Sequence, residues 1–587
     1  MRKIFFVVAL VAFTLTSCEK NEVTKQKEVN IYNTTEIPNG MMSFGKKLEN
    51  PYSVSNMKKA FSSLSQNRVA SNIVANHLYI RFLPDNAEEM NVLTSDTILK
   101  LYDYPFDYEI KEDGQFYHDP SIPLDKITWQ YTVVPADYKF PNVKYEILDQ
   151  LYLPTEDEQP AEYQALKITN NLPTGVQKSK SASQYTPTGK VLLHDNTTNT
   201  ESGLRNIKVR LRSSWFKIDD IVTDGNGNFT GEKNFTGKVD VTIIFTNNHY
   251  SMRSTLVNLF DNIDYKIGNE VKSCNVVITR TDRSGSAPSG YTWIKNNELW
   301  AQSTIANAVE QYYDYCTIEN IGTPPNLRIW ANRNKKESYG GSAPMFTHGL
   351  KYYTFKWDKW WSYAANILYI PVSNVLMNVF QWFLPDVIIN YNINSLENSN
   401  EICETVFHEL AHASHFKKVG PVFWDNYINY IVTYGSYGDG KGVDAGLCAM
   451  SESWGFHMGW YLDRKKYGSS VIVTESINEK YKPMQTGNSD NDIHRVVDGT
   501  TKTFLYHEGW VPAGILLDLM DSKSDYIRGS YPDYFYDDAE GFSNQDFFNA
   551  LDKDVRSPQQ FRDRLMKNTS DRDKTDVTKL FEAYYYN

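Results

Sequence analysis

The run Cys403-Glu404-Thr405-Val406-Phe407-His408-Glu409-Leu410-Ala411-His412-Ala413-Ser414-His415 constrains this chain more than any other. On a helix, two residues four apart stand about 40° apart around the axis and about 6 Å along it. Two imidazoles on that stripe can converge on one zinc ion, with Zn–N of about 2.0–2.1 Å. Glu409 lies one residue round, close enough to touch a zinc-bound water without being a ligand. The ion lowers the pKa of that water to about 7, and a carboxylate beside it can take the proton as the water attacks a carbonyl. With 11 histidines in 587 residues, chance gives the His-Glu-x-x-His spacing about once per hundred such chains. Val406, Phe407, Leu410 and Ala411 are apolar, as a helix buried beneath a cleft requires. The pattern predicts a helix over 397–418, just after a short strand at 387–391.

A catalytic zinc takes three protein ligands and leaves a fourth position open. His415 lies seven residues from His408, about 10.5 Å along the axis, so both cannot hold one ion from a straight helix. It is excluded as a ligand and reads as a supporting or exposed residue. Position 418 is a lysine, so the longer motif with a third histidine there is absent. The third ligand must come from another element. Gly446 to His457 places Glu452 in an otherwise apolar stretch, where a carboxylate is costly unless paired or metal-bound.

Here the sequence resembles the gluzincin peptidases, and among them the fungalysin-like and thermolysin-like members, over roughly residues 300–525. Residues 444–460 resemble the helix that carries their third ligand. Tyr506-His507-Glu508-Gly509-Trp510-Val511-Pro512 resembles their later segment, in which a histidine bonds the oxyanion of the tetrahedral intermediate. The resemblance implies His408, His412 and Glu452 as zinc ligands, Glu409 as base and acid, and His507 as the oxyanion group. Glu508 is the alternative ligand, and His457 and Tyr506 are alternatives to His507. The chain departs from the family at Phe456, where thermolysin-like enzymes carry an aspartate that orients a zinc histidine. Tyr434 or Tyr437, in a glycine-rich loop, is either a second oxyanion donor or plain surface. By the same analogy Gly341 to Phe346 is a sheet edge for an extended substrate.

The N-terminus supplies a location. Arg2 and Lys3 precede an apolar run, Ile4 to Leu15, too short to span a bilayer comfortably. Leu15-Thr16-Ser17-Cys18 resembles the lipobox of bacterial lipoproteins, which implies a lipoprotein signal over residues 1–18 with Cys18 lipidated as the first mature residue. The alternative is an ordinary secretory signal. Residues 19–59 read as a polar tether, so the expected site is the cell envelope, lipid-anchored, with the outer membrane as the expected membrane and the leaflet left open. Outside the cytoplasm Cys274, Cys316, Cys403 and Cys448 can form disulfides, in any of three pairings. A net charge of −11 argues against a nucleic-acid partner.

The length fits about three or four domains. Residues 60–173 alternate short apolar segments with turns and read as a β-rich N-terminal domain of unassigned role. Residues 174–187 read as a linker. Residues 188–282 contain Ile207-Lys208-Val209-Arg210-Leu211-Arg212, which alternates strictly, and a Gly/Asn turn at 223–229. This segment resembles the transthyretin-like sandwich of carboxypeptidase regulatory domains. From 290 to 587 longer helices follow short strands, with helices expected at 298–315, 397–418, 444–466, 502–521, 543–553 and 557–567. The expected fold is multidomain: a β-rich N-terminal domain, a β-sandwich middle domain and an α+β zincin-like catalytic domain. The expected function is a zinc-dependent peptidase acting on extracytoplasmic polypeptides; the alternative is an envelope binding or adhesion lipoprotein with a relic zinc site. Substrate preference and oligomeric state are left open.

Overall fold

The computed structural model describes residues 41–587, apart from 173–184, 255–261, 335–339, 355–383, 469–492, 505–510 and some shorter stretches. The signal, Cys18 and most of the tether therefore lie outside the described residues, as does most of the linker. The chain is a mixed, multidomain α+β protein with several sheets. Among the described residues no helix is long and apolar enough to cross a membrane.

The N-terminal part is built on an antiparallel sheet in the order Gln130–Pro135, His77–Leu83, Lys144–Leu151. Structure begins earlier than the expected boundary at residue 60. Ser43–Lys47 is a strand paired with Tyr108–Glu112, and Val54–Ser63 is a helix capped by Ser53. The tether reading ends where apolar side chains find partners: Met42, Tyr52 and Met57 are buried. Met57, Ala60 and Phe61 pack on Ala161 and Ala165 of helix Gln159–Ile168.

Two sheets follow. One runs Asn228–Thr230, Thr188–Asp195, Ser273–Thr279, Thr292–Lys295; the other runs Asp264–Val271, Val239–Ile244, Lys208–Arg212, Ile218–Val222. Their inward residues, including Val191, Leu193, Val209, Leu211, Val241, Ile243, Val276 and Ile278, share one core. The alternation of 207–212 thus places Val209 and Leu211 inside. Arg210 stays buried beside Asp220, with a 2.7 Å ion pair.

The third part carries a four-stranded sheet in the order Tyr250–Arg253, Leu327–Asn334, Val387–Asn392, Gly340–Ser342. The first three strands are parallel and the last is antiparallel. The boundary expected at 282–290 is therefore not a clean one. Tyr250–Arg253, from the middle segment, is a strand of the C-terminal sheet. Thr292–Lys295, from the C-terminal segment, pairs in parallel with Ser273–Thr279 of the middle segment. Each part completes the other's sheet, and one hydrophobic core runs through both.

Among the described residues the longer C-terminal helices are Asn297–Ile318, Ser399–Val419, Pro421–Tyr434, Ala445–Tyr467, Asn544–Ala550, Pro558–Asn568 and Lys574–Ala583; Pro421–Tyr434 and Lys574–Ala583 were unforeseen from sequence. The helix expected over 502–521 is a correction. Thr500–Phe504 is a strand paired antiparallel with Ile493–Val497, and among the described residues of that span only Ile515–Asp518 is helical. The β-branched threonines of this segment favour a strand once a partner strand is beside it. All four cysteines in the described residues are buried and free, so no disulfide joins them.

Candidate metal centre

The motif helix Ser399–Val419 starts where the Glu401 carboxylate accepts the Asn398 N–H at 2.6 Å. It ends at Gly420, whose φ of +84° suits glycine, and Pro421 opens the next helix at once. The chain thus folds back, and helix Pro421–Tyr434 packs beside the motif. Helix Ala445–Tyr467 crosses the motif helix on the histidine side.

At that crossing His408, His412 and Glu452 converge. His408 Nε2 and His412 Nε2 are 3.0 Å apart, and Glu452 Oε2 lies 3.5 Å and 3.6 Å from them. Four ligand atoms held tetrahedrally at about 2.0–2.1 Å from zinc would be about 3.4 Å apart. Two imidazole nitrogens and a carboxylate oxygen gathered in a largely buried site form a donor set that a cation can join. The group can hold a metal ion. Burial pushes the Glu452 carboxyl up, yet His412 and His408 facing it hold it well below the usual range.

Glu409 is buried, and its Oε2 has no hydrogen-bond partner. Burial pushes its carboxyl up to about 8, with His408 opposing and Glu452 adding to the rise. A carboxyl tuned near neutrality can both take and return a proton. Strand Gly340–Ser342 runs directly against it: a Cβ on Gly341 would stand 2.6 Å from Glu409 Cγ and 2.7 Å from its Oε1. Among the described residues this strand is an edge of its sheet.

Three features of the site escaped the sequence reading. Gly455 lies one turn beyond Glu452, where a Cβ would sit 2.8 Å from His412 Nε2 and 2.9 Å from His408 Nε2. Glycine inside a helix costs roughly 1 kcal/mol against alanine, so Gly455 in a long helix was a usable signal of close approach. Tyr427, on helix Pro421–Tyr434, donates its hydroxyl to Glu452 Oε1. Trp460 Nε1 donates to Glu404 Oε1 at 2.7 Å, tying the two helices together a turn above the histidines.

The remaining candidates divide. His415 is buried rather than exposed, near Ser451 Oγ (3.4 Å) and against Phe423 and Trp424, and it is not part of the metal group. Burial pushes it down to about 3, so it stays neutral. Phe456 packs its ring edge-to-face on His408 at 4.9 Å, so an apolar ring contacts that imidazole. His457 is taken out of the site: it is fully buried with its Nε2 2.8 Å from Asn544 Oδ1, among Trp454, Tyr461 and Phe547. Tyr437 packs on Phe456, whereas Tyr434 closes helix Pro421–Tyr434 instead of lying in the loop, and is 47% exposed beside Tyr430. Tyr506, His507 and Glu508 lie outside the described residues.

No protein-family model matches the chain, and no curated protein matches it. Among solved structures, a 9R-lipoxygenase from Cyanothece PCC8801 is matched at 16% identity, over 27% of this chain and 29% of that one. Its TM-score is 0.12, so the similarity carries no argument about fold or site.

Proposed function

We infer that this chain is a zinc-dependent peptidase of the gluzincin kind, acting on polypeptides outside the cytoplasm. The observation that carries the reading is the convergence of His408, His412 and Glu452 with Glu409 buried beside them. Two imidazoles and one carboxylate leave a fourth position open, the donor set of a catalytic rather than a structural zinc. When bound, zinc would polarise a substrate carbonyl and acidify water. Glu409 Oε2 would take the proton of the attacking water and return it to the leaving amine. Strand Gly340–Ser342 would pair with an extended substrate through its backbone N–H and C=O groups, laying the scissile bond over Glu409. His507 would bond the developing oxyanion.

In this reading Cys18 carries a lipid that holds the protein at the cell envelope, expected at the outer membrane. Residues 188–282 form a transthyretin-like support, and nucleic acid is not a partner. The competing reading is an envelope binding lipoprotein with a decayed centre. The Phe456 ring on His408, where an orienting carboxylate would serve a working site, favours it.

The test uses the full chain in detergent, a diverse peptide library, zinc chelation, and the variants Glu409→Ala and His412→Ala. The peptidase reading expects cleavage that chelation abolishes, a Glu409→Ala variant that keeps zinc but cuts nothing, and a His412→Ala variant that loses both. Zinc binding without cleavage would favour the binding reading. A His412→Ala variant that still cuts would sink the zinc mechanism.

A further inference from the structure

Glu452 has two carboxylate oxygens, and the structure uses them differently. Oε2 faces the histidine nitrogens at 3.5 Å and 3.6 Å, while Oε1 accepts the hydroxyl of Tyr427. Glu452 is 4% exposed and Tyr427 5%, so water does not compete for that bond. Tyr427 lies on neither ligand helix. It belongs to Pro421–Tyr434, which also bears Trp424 one turn earlier. Trp424 Nε1 donates to Ala343 O at 3.0 Å, just past the strand whose Gly341 abuts Glu409. The Trp424 ring meets Tyr427 edge-on at 4.9 Å and His412 at 6.1 Å. Asp425 fastens the same helix by accepting Thr354 N–H at 2.8 Å and Thr354 Oγ1 at 2.7 Å. A single helix thus holds the third ligand and the strand beside the general base.

We propose that Tyr427 is a positioning residue that occupies Glu452 Oε1 and so presents Oε2 alone to the metal. The inference rests on the reading of His408, His412 and Glu452 as metal ligands. A carboxylate with both oxygens free can bind an ion through both and fill the coordination position that substrate needs. Partners that orient a ligand from behind typically contribute about 10–100-fold to metal affinity. With Phe456 against His408, this tyrosine supplies orientation from the carboxylate side of the centre.

The experiment measures metal binding, not turnover. Apo full chain in detergent is titrated with zinc against a chelator, and with cobalt, whose visible absorption weakens as coordination number rises. Wild-type protein is expected to bind one ion with an intense cobalt band. Tyr427→Phe, which removes one oxygen and keeps the ring, is expected to weaken zinc binding about 10–100-fold and to lower the band. In a Glu452→Ala background the same change is expected to add no further loss, because the effect passes through Glu452. Fluorinated tyrosine at 427 keeps ring and hydroxyl but changes the strength of donation. It should shift both readouts even if Tyr427→Phe fails to fold. Unchanged affinity and spectrum in folded Tyr427→Phe, or in the fluorinated protein, would overturn the proposal while leaving the metal site intact. A wild-type chain that binds neither ion would overturn the metal reading itself, and this inference with it.

Discussion

Gly455 stands directly against His412: a Cβ at residue 455 would lie 2.8 Å from His412 Nε2 and 2.9 Å from His408 Nε2, closer than either nitrogen can tolerate without moving. Alanine is the better helix former by roughly 1 kcal/mol, so on propensity alone Gly455→Ala should stabilise helix Ala445–Tyr467. The expected outcome is the opposite for metal. Gly455→Ala should melt within about 1 kcal/mol of the parent when metal-free, yet lose at least about tenfold in zinc affinity. Parallel thermal melts and chelator titrations decide it. An alanine variant with full zinc affinity would mean that the ligand atoms have room to spare.

Gly341 stands in the same relation to Glu409. A Cβ there meets Glu409 Cγ at 2.6 Å and Ile388 O at 2.8 Å, and the second atom is backbone that cannot swing away. Gly341→Ala is expected to displace Glu409 or the edge strand without touching the metal ligands. Zinc content should stay at the parent level while kcat falls at least about tenfold, since misplacing a reacting group by about 1 Å can cost 10²-fold. Metal analysis beside single-turnover cleavage separates the two. An unchanged kcat would show that neither Glu409 nor this edge takes part in the rate-limiting chemistry.

The two histidines and Glu409 were legible because a helix converts spacing into direction within a single element. Glu452 was legible for a different reason, a carboxylate in an apolar run, which burial makes expensive unless it has a partner. Gly455 and Tyr427 were not read, and Gly341 was read as the start of a substrate edge without its approach to Glu409, because each of these contacts runs to an atom far away in sequence. The exchange of strands between the middle and C-terminal segments was hidden on the same ground. Tyr250–Arg253 is an unremarkable strand in sequence, and only the tertiary structure pairs it with Leu327–Asn334. The misread helix near 502–521 shows the converse, a local pattern overridden by a partner strand.

That interlock makes a prediction about fragments. Residues 290–587 alone lack Tyr250–Arg253, whose Tyr250 and Met252 are fully buried in the shared core. Without that strand the buried edge of Leu327–Asn334 is exposed as a pairing template. Residues 290–587 are expected to aggregate or to melt without a cooperative transition. Residues 185–587, which retain both exchanged strands, are expected to fold. Size exclusion and calorimetry of the two fragments test it; a monomeric, cooperatively folded 290–587 would show the exchange to be dispensable.

Glu397 gives the pH dependence its sign. It precedes the motif helix, is 5% exposed, and has no partner for Oε1. Burial pushes its carboxyl from 4.5 up to about 8; a backbone hydrogen bond from Asn392 opposes this and Glu401 adds to the rise. A group whose pKa is higher in the folded state binds its proton more tightly there. Its contribution to stability is therefore complete below about pH 4.5 and is lost progressively as pH rises through about 8. Glu397→Gln keeps the shape, removes the charge, and should abolish that loss. The variant is expected to match the parent at pH 5 and to exceed it by at least about 1 kcal/mol at pH 8, one pKa unit being about 1.4 kcal/mol. Denaturant unfolding of metal-free protein at the two pH values measures this difference. A variant less stable than the parent at pH 8 would mean that the ionised carboxylate is held by a favourable partner in the folded chain.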